Sequence, residues 1–318
     1  MVSDPSISAA DTGRSQARDP LNAQWLRTFA AVARLGSFSE AAEELSYTQS
    51  AVSQQVAALE RELGAAVLRR RPVEPTEAGE RLLEHAVPIL LRLDAARTDV
   101  ARVRGPGVPR LAVGACPGAF VPEAARALAA VRAADPRLEP RVRTAGLDAV
   151  VAGVASGEFD AGLVGGVAAP TDPLRLGAGE GESVEVMRSV VVRERPLVAA
   201  VPHGHPFAGR GGVSAAELAD ALWVDAPGAA VPLSALREMV PNAAPRAGVR
   251  LDGGDAGALE ALVAEGHGVA LVPEGTLGGV PAVPLAAPRL VHRVELLHLN
   301  THGPAQRLVG LLADASTR

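Results

Sequence analysis

QWLRTFAAVARLGSFSEAAEELSYTQSAVSQQVAALERELG, residues 24–64, contains three short helices separated by two tight breaks. Leu26, Phe29, Ala30 and Ala33 recur at the i, i+3, i+4, i+7 spacing of one helix face, which predicts a helix over Gln24–Leu35. Gly36 is placed to end it, because glycine accepts the left-handed conformation of a helix C-terminus. Ser39 stands where it can cap a second helix, Glu40–Leu45. Ser46-Tyr47-Thr48 then breaks the chain, Thr48 caps a third helix over Gln49–Leu63, and Gly64 ends that one.

The third helix has two unlike faces. Val52, Val56, Leu59 and Leu63 form an apolar stripe. Ser50, Ser53, Gln54, Ala57 and Arg61 lie opposite, with Gln49 on the flank of the open first turn. A face of small, uncharged polar groups lets a helix sink into a DNA major groove, where Gln and Ser read base edges or hold phosphates. A plain solvated face is the alternative, although ordinary surfaces favour Glu and Lys. Arg69-Arg70-Arg71 follows closely, and a basic turn beside a recognition helix reaches phosphates or the minor groove.

The next stretch predicts self-association. Thr76 can cap a helix whose first turn carries Glu77 and Glu80. Gly79, Leu82, Ala86, Ile89, Leu93, Ala96, Val100 and Val103 follow in a heptad stripe suited to pairing with a second copy. Pro88 removes a backbone hydrogen bond in its middle and predicts a kink or an interruption near Ala86–Val87.

Composition sets the outer limits. The chain has 318 residues, enough for about two domains. Hydrophobic residues make up 48% and charged residues 21%, a globular balance. The net charge of −5 excludes a uniformly basic nucleic-acid binder, so any DNA contact has to be local. Every basic residue is Arg, the better partner for phosphate and guanine. One cysteine, Cys116, excludes an internal disulfide framework, and no apolar run reaches the ~18–20 residues of a membrane span. Residues 1–20 lack the features of a signal peptide and read as a disordered tail, so the expected location is the cytoplasm, with no membrane partner.

The segments LRTFAAVARLGSFSEAAEELSYTQSAVSQQVAALERELG and PTEAGERLLEHA together resemble the LysR-type transcriptional regulators. LVAAVPHGHPF and EALVAEGHGVALVPEG look like parts of that family's effector domain. The resemblance implies an α+β multidomain protein with an N-terminal winged helix-turn-helix and a long linker helix. Its C-terminal effector domain would be a two-lobed α/β body, like a periplasmic binding protein. The expected layout is a tail at 1–20, the DNA-binding domain at 21–75, the linker helix at 76–104, a hinge at 105–109 and the effector domain at 110–318. By position, Gln49, Ser50, Ser53 and Gln54 look like the DNA-contacting residues, with Arg69, Arg70 and Arg71 beside them. The partners implied are double-stranded DNA, a second copy in a dimer or tetramer, and a small-molecule effector; no cofactor or metal is implied.

The C-terminal block reads on its own as alternating strands and helices. Strands are expected at Leu111–Ala115, Glu139–Arg143, Asp160–Val164, Val184–Val192, Leu197–Val201, Val249–Leu251, Val269–Val272 and Val294–Leu299. Helices are expected at Pro122–Ala134, Leu147–Ser156, Ala215–Ala219, Ala256–Glu265 and Ala305–Ala313. VASGEFDAGLV and LVAEGHGVALV echo each other, which suggests two similar lobes with a ligand cleft between them. In the first lobe, Cys116-Pro117-Gly118 and Thr144-Ala145-Gly146 sit at strand-to-helix turns, where open N–H groups favour an anion. Pro202, Asp225 and Asp252 are the second lobe's candidates. Cys116 suits packing better than redox sensing, having no second cysteine to resolve it. His203 and His205 suit a proline-bounded turn better than a metal site, and GAGEG at Gly177–Gly181 reads as a loop. No GxSxG, P-loop or HExxH pattern occurs, so no catalytic residue and no enzyme is expected. The alternatives are an enzyme or solute-binding module fused to a DNA-tethering domain, and an architectural DNA protein that binds without sequence preference.

Overall fold

The computed structural model describes residues 21–104, 109–174, 187–239, 245–299 and 301–316. The tail at 1–20, the hinge candidate apart from Pro109, and the GAGEG loop lie outside them. The chain forms two compact units that divide after Leu90. Among the described residues, no helix is long and apolar enough to cross a membrane.

The first unit opens with α1 (Ala23–Leu35), capped by Asn22, whose side chain accepts the Gln24 N–H at 2.8 Å. Gly36 ends it at φ 64°. The second helix, α2 (Phe38–Leu45), starts earlier than the sequence suggests. Ser37, not Ser39, is its cap and accepts the Glu40 N–H at 3.2 Å. A cap oxygen must reach the third residue of its helix, and Phe38 completes the apolar set that favours the longer helix. Thr48 caps α3 (Gln49–Leu63) through Ala51, and Gly64 closes it, as the sequence predicts. Leu26, Phe29, Val32, Val52, Val56 and Leu59 pack into one core.

Two short strands follow, β1 (Leu68–Arg70) and β2 (Val73–Pro75), paired antiparallel across Arg71-Pro72. Arg69 and Arg70 therefore lie on a strand, and only Arg71 is in the turn. The long helix α4 (Glu77–Arg104) begins with the Thr76 hydroxyl accepting the Gly79 N–H at 3.1 Å. It runs through Pro88 without the interruption expected there. Glu84, whose carbonyl loses its i+4 donor, lies on the exposed side of the helix, where solvent can reach it. The first half of the apolar stripe packs at home: Leu82, Leu83, Ala86 and Leu90 join the core of the first unit. Val87, Ile89, Leu93 and Val100 stay exposed, so the apolar surface that α4 leaves uncovered starts later than Gly79.

The second unit has two lobes. The first holds β3 (Arg110–Ala115), α5 (Pro122–Ala134), β4 (Glu139–Thr144), α6 (Leu147–Ala155), β5 (Ala161–Ala168) and the start of β6 (Arg188–Ala200). The second holds the end of β6, then β7 (Val213–Ser214), β8 (Leu222–Asp225), α7 (Leu233–Met239), β9 (Arg246–Arg250), α8 (Ala256–Ala264), β10 (Ala270–Pro273) and β11 (Ala282–Ala287). The chain then returns as β12 (Val291–His298) and α9 (Gly303–Ser316) to finish the first lobe. The echo noted in the sequence is real in space: α6–Gly157–β5 and α8–Gly266–β10 are both helix, left-handed glycine, strand, at φ 76° and 82°.

Several expected elements change. Val184–Val192 and Leu197–Val201 are not separate strands: from Arg188 they merge into the 13-residue β6. The intervening Arg193-Glu194-Arg195 reads as a loop, but each of these residues pairs with β12. Ala215–Ala219 forms turns instead of a helix, and α7, β7, β8 and β11 were not anticipated.

Strand direction positions the cleft. β3 is parallel to β4 and β5, while β12 is antiparallel to both β5 and β6, so β6 runs the same way as β3–β5. β10 is antiparallel to β6, and β8 is parallel to β9 and bridges in parallel to Val269 at the start of β10. The C-terminal ends of β3, β4 and β5 therefore point at those of β8, β9 and β10, the place where open α/β folds receive ligands.

Candidate functional site

The first site is the open face of α3. Burial of Val52, Val56 and Leu59 turns Gln49, Ser50 and Gln54 outward, with Ser53 half-buried between them. The Ser50 hydroxyl lies 3.0 Å from that of Thr48. Gln55 is different: it faces inward, and its carbonyl oxygen accepts the hydroxyl of the fully buried Thr28 at 2.5 Å. Tyr47, in the turn before α3, is also exposed, an aromatic the sequence reading treated only as part of a break.

The three arginines have separate surroundings. Arg70 pairs with Glu60 at 3.3 Å and lies 4.8 Å over the Phe38 ring. The same Glu60 carboxylate accepts the N–H groups of Val67 and Leu68, so Arg70 serves the fold of this unit. Arg69 sits 3.9 Å from Glu74. Arg71 is exposed and makes no ion pair among the described residues.

The second site is the cleft of the effector unit. Ala115 and Thr144 are register partners in parallel strands, so Cys116-Pro117-Gly118 and Thr144-Ala145-Gly146 emerge side by side. The Ala145 N–H donates to the Ala115 carbonyl at 3.0 Å. Gly146 precedes α6 without a side-chain cap, leaving N–H groups of the first turn open. Pro117, Gly118 and Thr144 are exposed, but Cys116 is buried. Burial pushes the Cys116 thiol up, against a hydrogen bond from the Gly165 backbone that favours the thiolate; the Asp148 charge adds to the rise.

The second lobe brings Asp225 and Asp252 together. Arg250 pairs with Asp225 at 3.0 Å and with Asp252 at 3.1 Å. The lobes also approach each other through glycines the sequence reading did not single out. A methyl placed on Gly254 would stand 3.3 Å from the Pro117 Cβ across the cleft; within the second lobe, one on Gly228 would stand 2.3 Å from the Gly253 carbonyl oxygen.

Pro202 does not join this group. Register carries the level of Ala115 through Leu163 and Leu296 to Val190. Pro202 lies a dozen residues further along, roughly 35–40 Å of extended chain. There it sits among second-lobe loops, next to Val201, whose N–H meets the Pro281 carbonyl at 3.0 Å, and His203, which is 3.0 Å from the Gly279 carbonyl. The error comes from treating the end of every apolar strand as a cleft edge, whereas β6 crosses the whole cleft and ends on its far side.

Residues 23–80 match the family described as bacterial regulatory helix-turn-helix protein, lysR family, and residues 104–315 match the LysR substrate binding domain. The transcriptional regulator BudR of Raoultella terrigena is 32% identical over 261 residues, covering 79% of this chain and 84% of its own. A probable hydrogen peroxide-inducible genes activator of Mycobacterium avium is 29% identical over 307 residues, covering 91% and 92%. Among solved structures, full-length CbnR complexed with its target DNA superposes with a TM-score of 0.50 at 22% identity, covering 92% of this chain and 99% of that one.

Proposed function

The chain belongs to the LysR family of transcriptional regulators, which join a DNA-binding helix-turn-helix to an effector-binding domain, and from that premise we propose how its residues divide the work. Gln49, Ser50, Ser53 and Gln54 read base edges from α3 in the major groove. Arg69 and Arg71 serve the DNA backbone or minor groove, and Arg70 holds the β1–β2 hairpin in place for them. A small molecule binds between the lobes, at Cys116–Gly118 and Thr144–Gly146 on one side and around Asp225, Asp252 and Gly254 on the other. The exposed second half of α4 joins two copies, giving a dimer that itself pairs into a tetramer, and the protein works in the cytoplasm on double-stranded DNA. It turns nothing over: its relatives are regulators, and its cleft serves binding alone.

The signal proposed is a bound molecule and not an oxidant, although one relative carries the peroxide-inducible description. Thiol oxidation needs an accessible thiolate, and Cys116 is buried with its pKa raised. A ligand that favours one arrangement of the effector domains shifts the population by its difference in affinity.

The observation that carries this reading is the face of α3, which is apolar and buried on one side and, through its first two turns, uncharged and open on the other. Selection of bound sequences from a random DNA pool by the full chain tests it. Enrichment of one two-fold-symmetric motif is expected, and recovery of unenriched DNA would sink the proposal.

A further inference from the structure

The two crossover strands sort their charges by face. Successive strand residues point to opposite sides. On one side Arg293 is buried and paired with both Glu194 and Glu295. On the other side stand Arg193, Arg195 and His292. Glu123, from the first turn of α5, meets Arg193 at 3.0 Å. Burial works to raise the Glu123 pKa, but its backbone N–H and Arg193 outweigh it and hold the carboxylate ionised. Arg193 is thereby ion-paired, whereas Arg195 feels Glu123 only at longer range and has no ion pair among the described residues.

Arg195 and His292 are direct cross-strand partners, a position that brings side chains within about 5 Å at Cβ. Each has a buried nitrogen with no partner among the described residues: Nε of Arg195 and Nδ1 of His292. Among the described residues Arg195 makes one hydrogen bond, from Nη1 to the Glu274 carbonyl at 3.4 Å. Buried polar groups are nearly always satisfied, so two adjacent orphans point to a missing partner.

The place is the cleft. A methyl on Gly165 would stand 3.1 Å from the His292 ring and 3.5 Å from the Ala119 Cβ. Ala119 belongs to the loop that begins at Cys116, and the Gly165 backbone acts on the Cys116 thiol, favouring its thiolate. Thr144 on β4, Cys116 after β3, Gly165 on β5, His292 on β12 and Arg195 on β6 thus follow one another across the sheet where it opens to the second lobe. Glycine at 165 leaves room for the Cε1–Nε2 edge of the His292 ring.

Resting on the effector-cleft reading, we propose that Arg195 and His292 form an anion subsite that receives a carboxylate of the effector. One carboxylate oxygen accepts from Arg195 Nε and the other from His292 Nδ1, in charge-assisted hydrogen bonds. In the free protein His292 is neutral at pH 7, because burial and the neighbouring Arg195 charge lower its pKa to about 4. A bound anion reverses that balance and draws a proton onto the ring. Arg195 on β6 is the charge that acts on the ring; Arg193 stands on the same face of β6, paired with Glu123 of α5, which also meets Arg126, and Glu274 offers Arg195 its carbonyl. None is an unpaired acid that would supply the proton or compete for the arginine.

The test is histidine-labelled NMR of the full chain, with the His292 signal assigned by H292Q. It is titrated with sodium acetate, inorganic phosphate or sodium chloride at matched ionic strength, up to roughly 100 mM because a single ion contact binds at millimolar strength. The expected result is a rise in the His292 pKa of about one unit in acetate, a tenfold preference of the anion for the protonated ring, little change in chloride, and no rise in R195Q. A response to phosphate but not to acetate overturns the carboxylate assignment. Identical titrations in all three salts, in protein that still binds DNA, overturn the subsite. Failure of the effector-cleft reading is seen separately: acetate then shifts His292 as expected, yet no metabolite in a thermal-shift screen alters the affinity for DNA.

Discussion

Gly79 lies against the carbonyl of Val67 so closely that an added methyl would sit 2.0 Å from its oxygen. The first turn of α4 is thereby seated on the chain entering β1, and the Thr76 hydroxyl ties the same two segments by donating to the Ala66 carbonyl at 2.7 Å. Backbone cannot yield as a flexible side chain does. Gly79→Ala is expected to destabilise the first unit by about 2–3 kcal/mol and to weaken DNA binding through loss of the hairpin position. Thermal melts and band shifts on the same protein check it; an unchanged melting temperature would show that α4 rides clear of Val67.

Gln54 and Gln55 are neighbours with opposite assignments. Gln54→Ala is expected to change base preference at one position of each half-site, at about 1–3 kcal/mol, with stability unchanged. Gln55→Ala is expected to leave the preferred sequence alone and to destabilise by about 1–2 kcal/mol, because the buried Thr28 hydroxyl loses its acceptor. Selection from a random pool and denaturant melts distinguish the two, and swapped results would invert the assignment of the α3 faces.

Ile89 and Leu93 are 45% and 37% exposed, whereas Leu90 between them is buried. Ile89→Glu or Leu93→Glu is expected to reduce the mass seen by light scattering while the helix signal persists. Leu90→Glu is expected to unfold the first unit, since it places a charge in that unit's own core. If Ile89→Glu keeps the wild-type mass, self-association uses another surface.

The His292 pKa makes stability fall in acid. The unfolded residue takes up its proton near 6.5 and the folded one only near 4. Between these values the unfolded state holds more protons, so the contribution is complete above pH 6.5, declines as pH falls to 4, and declines no further below that. The loss is about 3 kcal/mol. H292Q is expected to flatten that part of the stability curve, measured by urea melts from pH 4 to 7; a variant as acid-sensitive as the wild type places the cause elsewhere.

The sequence made the local features legible. Helix α3 was bounded correctly because Thr48 and Gly64 are capping residues acting within one turn of themselves. The helix Pro122–Ala134 was placed to the residue for a similar reason, since proline suits a first turn. Strands β1, β2 and β7 are two or three residues long, too short to show any period. Strand β6 was split because a charged Arg193-Glu194-Arg195 resembles a loop until β12 is known to lie beside it. The pairing of Arg195 with His292 joins residues almost a hundred positions apart, and nothing local announces it. The turns at Cys116 and Thr144 were found together because parallel strands with similar endings advertise a shared edge. Pro202 was misplaced because no local signal gives the direction in which a strand leaves a lobe.

Strand β12 lies between β5 and β6, and α9 supplies Ala305, Leu308 and Leu312 to the first-lobe core. On the ribosome this sets an order of events. The DNA-reading unit has all of its core by Leu90 and can fold while synthesis continues, but the first sensing lobe stays open until its last strand and helix emerge. The partner strand β5 has by then waited for more than a hundred residues, a non-local pairing of the kind that forms slowly. A chain released before His298 would carry the complete described core of the first unit and a first lobe that lacks its closing strand and helix.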